Sequence, residues 1–383
     1  MAYEVTATKK RPQTFDELIG QEFVVSTLKS SLEQSRVAHA YLFAGPRGVG
    51  KTSAARILAK ALNCEEGTGP TPCGVCSNCK EITAGNSLDV IEIDGASNTS
   101  VNDVREIKDE VLFAPSNSRY KVYIIDEVHM LSNSAFNALL KTIEEPPPYI
   151  IFIFATTEVH KVPPTIRSRC QQFNFRLIPA EDMKAQLVTI SKEAGIEAEG
   201  DALFWIAKEA TGSLRDAYTL FDQIVSFSED SITLDKITEK LGLIGFEKLN
   251  CLVELLVDGN SKQVLELTDE IIASGVSIEQ FILDLTEYFR NLLFIRHDIK
   301  KESLLGVSEE RFSRKNLEAY TVPQLEEAIR RLLKLYRDMR FSLNQRFELE
   351  LTLSRLATLH EYIDQREILH KIRNLRSELV GKA

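Results

Sequence analysis

Residues 45–52 read Gly-Pro-Arg-Gly-Val-Gly-Lys-Thr, a complete phosphate-binding loop, and residues 124–127 read Ile-Ile-Asp-Glu. Each part has a physical task. Gly45, Gly48 and Gly50 let backbone N–H groups curl around phosphate oxygens, and the helix that follows adds its dipole. Val49 and Ser53 belong to the same cradle. Lys51 is placed to reach the β- and γ-phosphates, and the Thr52 hydroxyl to ligate Mg²⁺. Asp126 and Glu127 close an apolar strand, where adjacent carboxylates are costly without a partner. In a triphosphate site they have one: Asp126 holds Mg²⁺ directly or through water, and Glu127 orients and polarises the attacking water. No acceptor pocket for a transferase is legible, so hydrolysis is the expected chemistry.

Three further polar features fit that site. Ala155-Thr-Thr-Glu158 ends an apolar strand, so a threonine hydroxyl reaches the same sheet edge. Gly212-Ser-Leu-Arg-Asp216 opens a helix, with Ser213 as its cap and Asp216 completing a capping box. Arg215 then lies in the first turn, where the helix dipole disfavours a cation, and an anionic partner such as a γ-phosphate would explain it. Arg167-Ser-Arg-Cys170 puts two arginines just before a strand. They gain meaning if a neighbouring subunit's nucleotide lies opposite, because an arginine given in trans stabilises charge on a transferring phosphoryl group.

A separate constellation is made of thiols. Cys73-Gly-Val-Cys76-Ser-Asn-Cys79 has two-residue spacings, and Cys64 stands upstream across loop-forming sequence. Four thiolates so spaced suit a closed, structural zinc site. Cys170 and Cys251 have no partners in sequence and are expected as small buried apolar residues.

The elements that must position these groups change character along the chain. Up to about residue 178, strand-like runs at 40–44, 89–93, 121–126, 149–156 and 171–177 alternate with helical stretches such as Val101–Leu112 and Ser134–Glu144. That alternation predicts an α/β fold with a parallel, doubly wound sheet, the phosphate loop at its carboxyl edge. After Pro179 the strands stop. Met183, Leu187, Ile190 and Ala194 make one helical stripe; Leu214, Ala217, Phe221, Ile224 and Val225 make another. They predict a small helical domain over 179–242. Ile278, Phe281, Ile282, Leu285, Phe289, Leu292 and Leu293 keep helical period, as do Leu325, Ile329, Leu332 and Tyr336, giving an all-helical domain over 243–360. Ile368, Ile372, Leu375 and Leu379 in the tail 361–383 fit either a short coiled coil or the start of a longer C-terminal extension.

The totals set bounds. At 383 residues the chain predicts two to four domains. With 44% hydrophobic and 27% charged residues it reads as soluble and globular, without a membrane-length apolar run or an apolar-cored leader. A cytoplasmic location is expected. The formal charge of −10 argues against blanket nucleic-acid binding but leaves room for a local basic surface.

Taken together, the chain resembles the gamma/tau family of the bacterial DNA polymerase III clamp loader, within the AAA+ ATPases. The resemblance spans about residues 1–360. It rests on Lys10-Arg-Pro-Gln-Thr-Phe-Asp-Glu-Leu-Ile-Gly-Gln21, the phosphate loop, the four cysteines, Asp126-Glu-Val-His129, Asn137-Ala-Leu-Leu-Lys-Thr-Ile-Glu-Glu-Pro146, Ser168-Arg-Cys170 and Gly212-Ser-Leu-Arg-Asp216. It implies a RecA-like AAA+ core over 1–178 with a zinc insertion at 64–79, a helical lid over 179–242 and an oligomerising collar over 243–360. It implies that Arg11 and Pro12 line the adenine pocket. Thr157, with Thr156 as the alternative, would be sensor 1, Arg215 sensor 2, and Arg169 a finger acting on a neighbour's ATP.

The activity so implied is ATP-driven opening and loading of a sliding clamp onto primed DNA, with hydrolysis triggering release. The cofactors are ATP, Mg²⁺ and structural Zn²⁺. The partners are delta, delta-prime and further gamma/tau copies, the clamp and primer–template DNA, with polymerase and helicase added only by a longer C-terminal region. Some relatives carry basic residues after the Asp-Gly-Ala turn; here Asn98 and Ser100 stand there, with Arg105 kept. Two rival functions remain: another AAA+ DNA machine such as a branch-migration motor, or a mainly architectural ATP-binding subunit.

Overall fold

The computed structural model describes residues 5–97, 110–111, 113–228 and 231–362. Asn98, Ser100, Arg105, most of the expected helix at 101–112 and the apolar tail from Ile368 to Leu379 lie outside them. Packing divides the chain into two compact units, residues 1–194 with 206–223 and residues 195–205 with 224–383. The segment 179–242 contributes to both.

The first unit is built on a five-stranded sheet: β1 (Ala40–Ala44), β2 (Val90–Asp94), β3 (Lys121–Asp126), β4 (Ile150–Thr156) and β5 (Gln171–Asn174). The strands are all parallel, in spatial order β2-β3-β4-β1-β5. Helices on both faces explain why β1, β3 and β4 are near-continuous apolar runs. Tyr41, Phe43, Ile124 and Ile153 pack on one side with Ile57 and Leu58 of the helix Lys51–Asn63. Leu42, Tyr123, Phe152 and Phe154 pack on the other with Phe136 and Leu139 of the helix Asn133–Glu144.

Register decides where the chemistry falls. Ala44 pairs with Thr156, Asp94 with Asp126 and Ile125 with Phe154, so these four strands finish within one residue of one another at one edge. In parallel sheets this carboxyl edge is where ligands bind. β5 ends at Asn174, three residues short of the expected strand. The Gln21 side chain takes over there, accepting the Arg176 N–H at 3.0 Å and donating to the Arg176 carbonyl at 2.8 Å. A side-chain amide thus substitutes for further ladder pairing.

The remaining helices of this unit follow the expected stripes, with one trimmed end. In the helix Ala180–Ala194, Met183, Leu187 and Ile190 are buried while Ala194 is exposed. The helix that begins at Leu214 buries Ala217 and Phe221.

The second unit is helical apart from a two-residue parallel pairing of β6 (Glu197–Ala198) with β7 (Ser231–Ile232). Its core is made by Phe281, Ile282, Leu285 and Phe289 of the helix Ile278–Arg296 against Leu325, Leu332 and Leu335 of the helix Val322–Asp338. The second of these starts with a capping box in which Thr321 and Gln324 satisfy each other's backbone donors.

Two cysteines depart from expectation. Cys251 is exposed: the helix Phe246–Val257 turns Leu249, Leu252, Val253 and Leu256 inward, and Cys251 sits off that stripe. Cys170 is half-buried, with burial pushing its thiol up to about 12. Among the described residues no helix is long and apolar enough to cross a membrane.

Candidate nucleotide site and cysteine cluster

Where β1 runs out, the Gly45 N–H donates to the Thr156 carbonyl at 3.1 Å and the chain turns into the phosphate loop. A Cβ at Gly45 would stand 2.5 Å from the Phe175 carbonyl oxygen. At Gly48, with φ +73°, it would stand 2.0 Å from the Ser213 hydroxyl. These glycines are required by approach as well as by dihedral. They let the loop touch both β5's continuation and the helix that carries Arg215.

Lys51 opens the helix Lys51–Asn63 and is 6% exposed. Its ammonium donates to the Gly45 and Pro46 carbonyls at 2.8 and 2.7 Å. Burial pulls its pKa below the ordinary value, opposed by the charges of Glu127 and Asp126. Thr52 donates its hydroxyl to Asp126 Oδ2 at 2.6 Å, which sets two side-chain oxygens side by side. The other oxygen of Asp126 accepts the Glu127 N–H at 2.9 Å.

Glu127 has φ 45°, a left-handed conformation that a side chain rarely adopts. Close approach by Gly95 accompanies it: the Gly95 N–H donates to the Asp126 carbonyl at 2.8 Å, and a Cβ there would lie 2.8 Å from the Glu127 carbonyl oxygen. Thr157 donates to Glu127 Oε2 at 3.1 Å. Thr156 is fully buried, and its hydroxyl oxygen accepts the Glu158 N–H and lies 3.0 Å from His129 Nδ1. Of the two threonines, Thr157 is the one that meets the acidic pair.

Lys51, Thr52, Asp126 and Glu127 open onto a cleft of about 550 Å³, large enough for a nucleotide-sized ligand. Arg11 and Pro12 of the N-terminal segment, Val49, Gly50 and Ser53 of the loop and its helix, Asp126 and Glu127 after β3, and Arg215 line it. The helix of Arg215 reaches the loop through the Arg215 N–H and the Gly48 carbonyl, at 3.5 Å. Ser213 accepts the Asp216 N–H at 3.3 Å, half of the expected capping box. Arg11 lies below its ordinary pKa, first through burial and then through the neighbouring Arg56, with Arg215 adding to the effect. Cations that depress one another across a cleft are relieved by a polyanion.

Several participants carry no strong local signal. Thr6 hydrogen-bonds to both oxygens of Asp222 through its N–H and hydroxyl, and Lys10 pairs with Glu193. These contacts clip the N-terminal segment onto the helices of the same unit and so hold Arg11 and Pro12 over the cleft. His129, which closes the Asp126-Glu-Val-His129 stretch and has no assigned role of its own, lies 3.3 Å from Glu127 Oε2. Arg169 is outside the cleft. It pairs with Glu144 at 2.6 Å and donates to the Thr165 carbonyl at 2.7 Å, with its side chain 36% exposed.

The four expected cysteines converge: the Sγ atoms of Cys64, Cys73, Cys76 and Cys79 all lie within 4.8 Å of one another. Tetrahedral thiolate coordination needs sulfurs roughly 4 Å apart, so this donor set fits zinc. The N–H groups of Cys73, Cys76 and Cys79 each point at the preceding cysteine's sulfur, at 3.4 Å. Backbone donation from Val75 and then Cys76 lowers the Cys73 thiol to about 7, whereas burial raises Cys64.

Fold and site thus define a phosphate-loop nucleotide-binding protein of the α/β class. Comparison narrows the class. Residues 20–179 match the family described as DNA polymerase III, delta subunit, and 182–230 the DNA polymerase III clamp loader subunit, ATPase lid domain. Residues 232–372 match DNA polymerase III subunits gamma and tau domain III. DNA polymerase III subunit tau of Salmonella typhimurium is 42% identical over 94% of this chain and 56% of its own length. The tau subunit of Escherichia coli is 46% identical over 77% of this chain and 46% of its own. The gamma subunit of Buchnera aphidicola subsp. Schizaphis graminum is 38% identical over 94% of this chain and 99% of its own. The chain belongs to the gamma/tau family of DNA polymerase III subunits, and its three matched segments follow one another along the chain. It spans about half the length of the tau relatives.

Replacing Gly48 by Ala is expected to weaken ATP binding by about tenfold or more, because the loop must move off Ser213. Gly69→Ala, where nothing stands within 4 Å of the added carbon, should bind as the parent does. Titration with a fluorescent ATP analogue checks both.

Proposed function

We propose that the chain is the ATP-driven motor subunit of a bacterial replicative clamp loader, opening a sliding clamp and closing it on primed DNA. The observation that carries this reading is the convergence of Lys51, Thr52, Asp126, Glu127 and Thr157 at one sheet edge, within a chain of this family. The rest of the division of labour follows from it. Residues 1–178 form the ATPase core, 179–242 the lid and 243–360 the collar through which subunits assemble. The partners are delta, delta-prime and further copies, in the bacterial cytoplasm. Polymerase and helicase join only where a longer C-terminal region exists.

Lys51 and Arg215 hold the terminal phosphates, and Arg11 and Pro12 hold the base. A Mg²⁺ bound with ATP is held by Thr52 and Asp126, where it neutralises phosphate charge. Glu127, oriented by Thr157, accepts the proton of the attacking water. Arg169 lies outside its own cleft, paired with Glu144, and serves the ATP of a neighbour. Loss of the γ-phosphate removes the contacts that close the interface, and the clamp is released. Cys64, Cys73, Cys76 and Cys79 hold a structural Zn²⁺ that shapes the insertion after the helix Lys51–Asn63.

ATP turnover of the assembled protein, measured with and without primed DNA and clamp, tests the reading. Stimulation that needs both supports clamp loading. Stimulation by junction DNA alone would favour a branch-migration motor, and no stimulated turnover would favour an architectural subunit. Lys51→Ala should abolish nucleotide binding or hydrolysis in the same assay; unchanged turnover and affinity would remove the site assignment. Arg169→Ala should still bind ATP while the assembly loses DNA-stimulated turnover by about 10³-fold or more, as for other trans arginines. Elemental analysis should find one zinc per chain. Cys79→Ser should lose it and lower the melting temperature, and a metal-free parent of full stability would contradict the zinc site.

A further inference from the structure

The carboxylate of Glu127 has a neighbour to which the proposed function gives no role. His129 lies on the turn Val128–Met130 with its side chain 7% exposed. Its Nδ1 stands 3.0 Å from the Thr156 hydroxyl and 3.3 Å from Glu127 Oε2. Its Nε2 stands 3.3 Å from Glu158 Oε2, which Lys161 engages at 2.6 Å. The oxygen of Glu127 that faces Nδ1 also accepts the Thr157 hydroxyl. One ring therefore joins the carboxylate to the end of β4 and to the turn beyond it.

A carboxylate that activates water must be held in one direction, and a glutamate side chain has three torsions to fix. Thr157 supplies one contact, and a single hydrogen bond leaves the group free to swing about it. Nδ1 of His129 lies 3.3 Å from the same oxygen, and an N–H there, shared with Thr156, gives the carboxylate a second point, while Nε2 of the ring lies 3.3 Å from Glu158 Oε2. Two-point restraint of a reacting group through locked neighbours is how geometry becomes rate.

We propose that His129 is a positioning residue for Glu127, setting the direction of its carboxylate through the Nδ1 edge. The proposal rests on the reading of Glu127 as the water-activating group. It assigns His129 no contact with nucleotide, so it separates turnover from binding.

The side chains available at position 129 discriminate between edges. The amide of Asn overlays Nδ1, whereas the longer Gln places its amide near Nε2. Leu fills much of the volume and offers neither. In the full-length protein assembled with its partner subunits, His129→Leu should lower kcat by about tenfold or more, with KM, ATP affinity and melting temperature unchanged. His129→Asn should recover most of the loss, and His129→Gln should not. Glu127→Gln, run beside them, marks the floor set by loss of the carboxylate. Parental kcat in His129→Leu beside an inactive Glu127→Gln would overturn the proposal alone, as would equal recovery by Asn and Gln. Affinity and melting temperature falling together in all three His129 variants would make His129 a packing residue and overturn it too. Full turnover in Glu127→Gln would overturn the reading of the site, and the proposal with it.

Discussion

The structure around the cleft turns on one buried cation. Lys51 is taken out of water, and the two carbonyls it touches bear only partial charge. A desolvated ammonium is costly unless full negative charge lies near. Asp126 and Glu127 supply part of it, and both raise the affinity of Lys51 for its proton. They are available only because β3 and β1 end within one residue of each other, with β4 between them. A one-residue slip of β3 would exchange the side chains packed on its two faces, Tyr123 and Ile125 for Val122 and Ile124, and carry the acidic pair off the edge. The electrostatics of the site thus inherit the register in which those side chains fit.

The same requirement accounts for the local strain. Asp126 must aim at Thr52 and Glu127 must aim at Thr157, although the two are adjacent in sequence. Continuing β3 would alternate them to opposite faces. The left-handed turn at Glu127 breaks that alternation and brings both carboxylates to one cleft. Gly95 permits it, since no larger residue fits against the carbonyls of Asp126 and Glu127. A residue held in a sparsely populated conformation has to be restrained from several directions. Here the restraints come from Gly95, Thr157 and His129, which belong to three different parts of the chain.

What the sequence makes legible follows from how local each cause is. The phosphate loop, the acidic pair, the cysteine spacing and the apolar runs of β1, β3 and β4 are written in consecutive residues, and the cysteine sulfurs meet as their spacing implies. Arg215 is flagged locally, as a cation in the first turn of a helix, whereas Arg11 enters only through family resemblance, because its place beside the loop depends on contacts that cross long stretches of chain. The Thr6–Asp222 clip spans 216 positions, and neither residue type announces it. The early end of β5 depends on Gln21, another remote partner. His129 is two residues from Glu127, yet its meaning lies in Thr156 and Glu158, which only the sheet brings near. Cys251 shows the opposite limit: helical period alone, counted from Leu249 and Leu252, places it off the buried stripe.

One consequence of this arrangement concerns the path from the cleft to the surface where Arg169 sits. The helix Asn133–Glu144 begins three residues after the turn that holds His129 and ends at the carboxylate that pairs with Arg169. Its twelve residues span roughly 18 Å, at about 1.5 Å per residue. Its apolar face, with Ala135, Phe136, Leu139 and Ile143, is packed against the sheet, so it moves with the sheet as a rigid body. Under the proposed function, one end of this rod follows the turn of Glu127 and the other end anchors the arginine offered to a neighbour. The exposed Arg169–Glu144 pair is worth little by itself, on the order of 1 kcal/mol or less. That weakness suits the role. A strong pair would hold Arg169 back from a neighbour's phosphate, whereas a weak one keeps it extended in the right quarter and yields to a more highly charged anion.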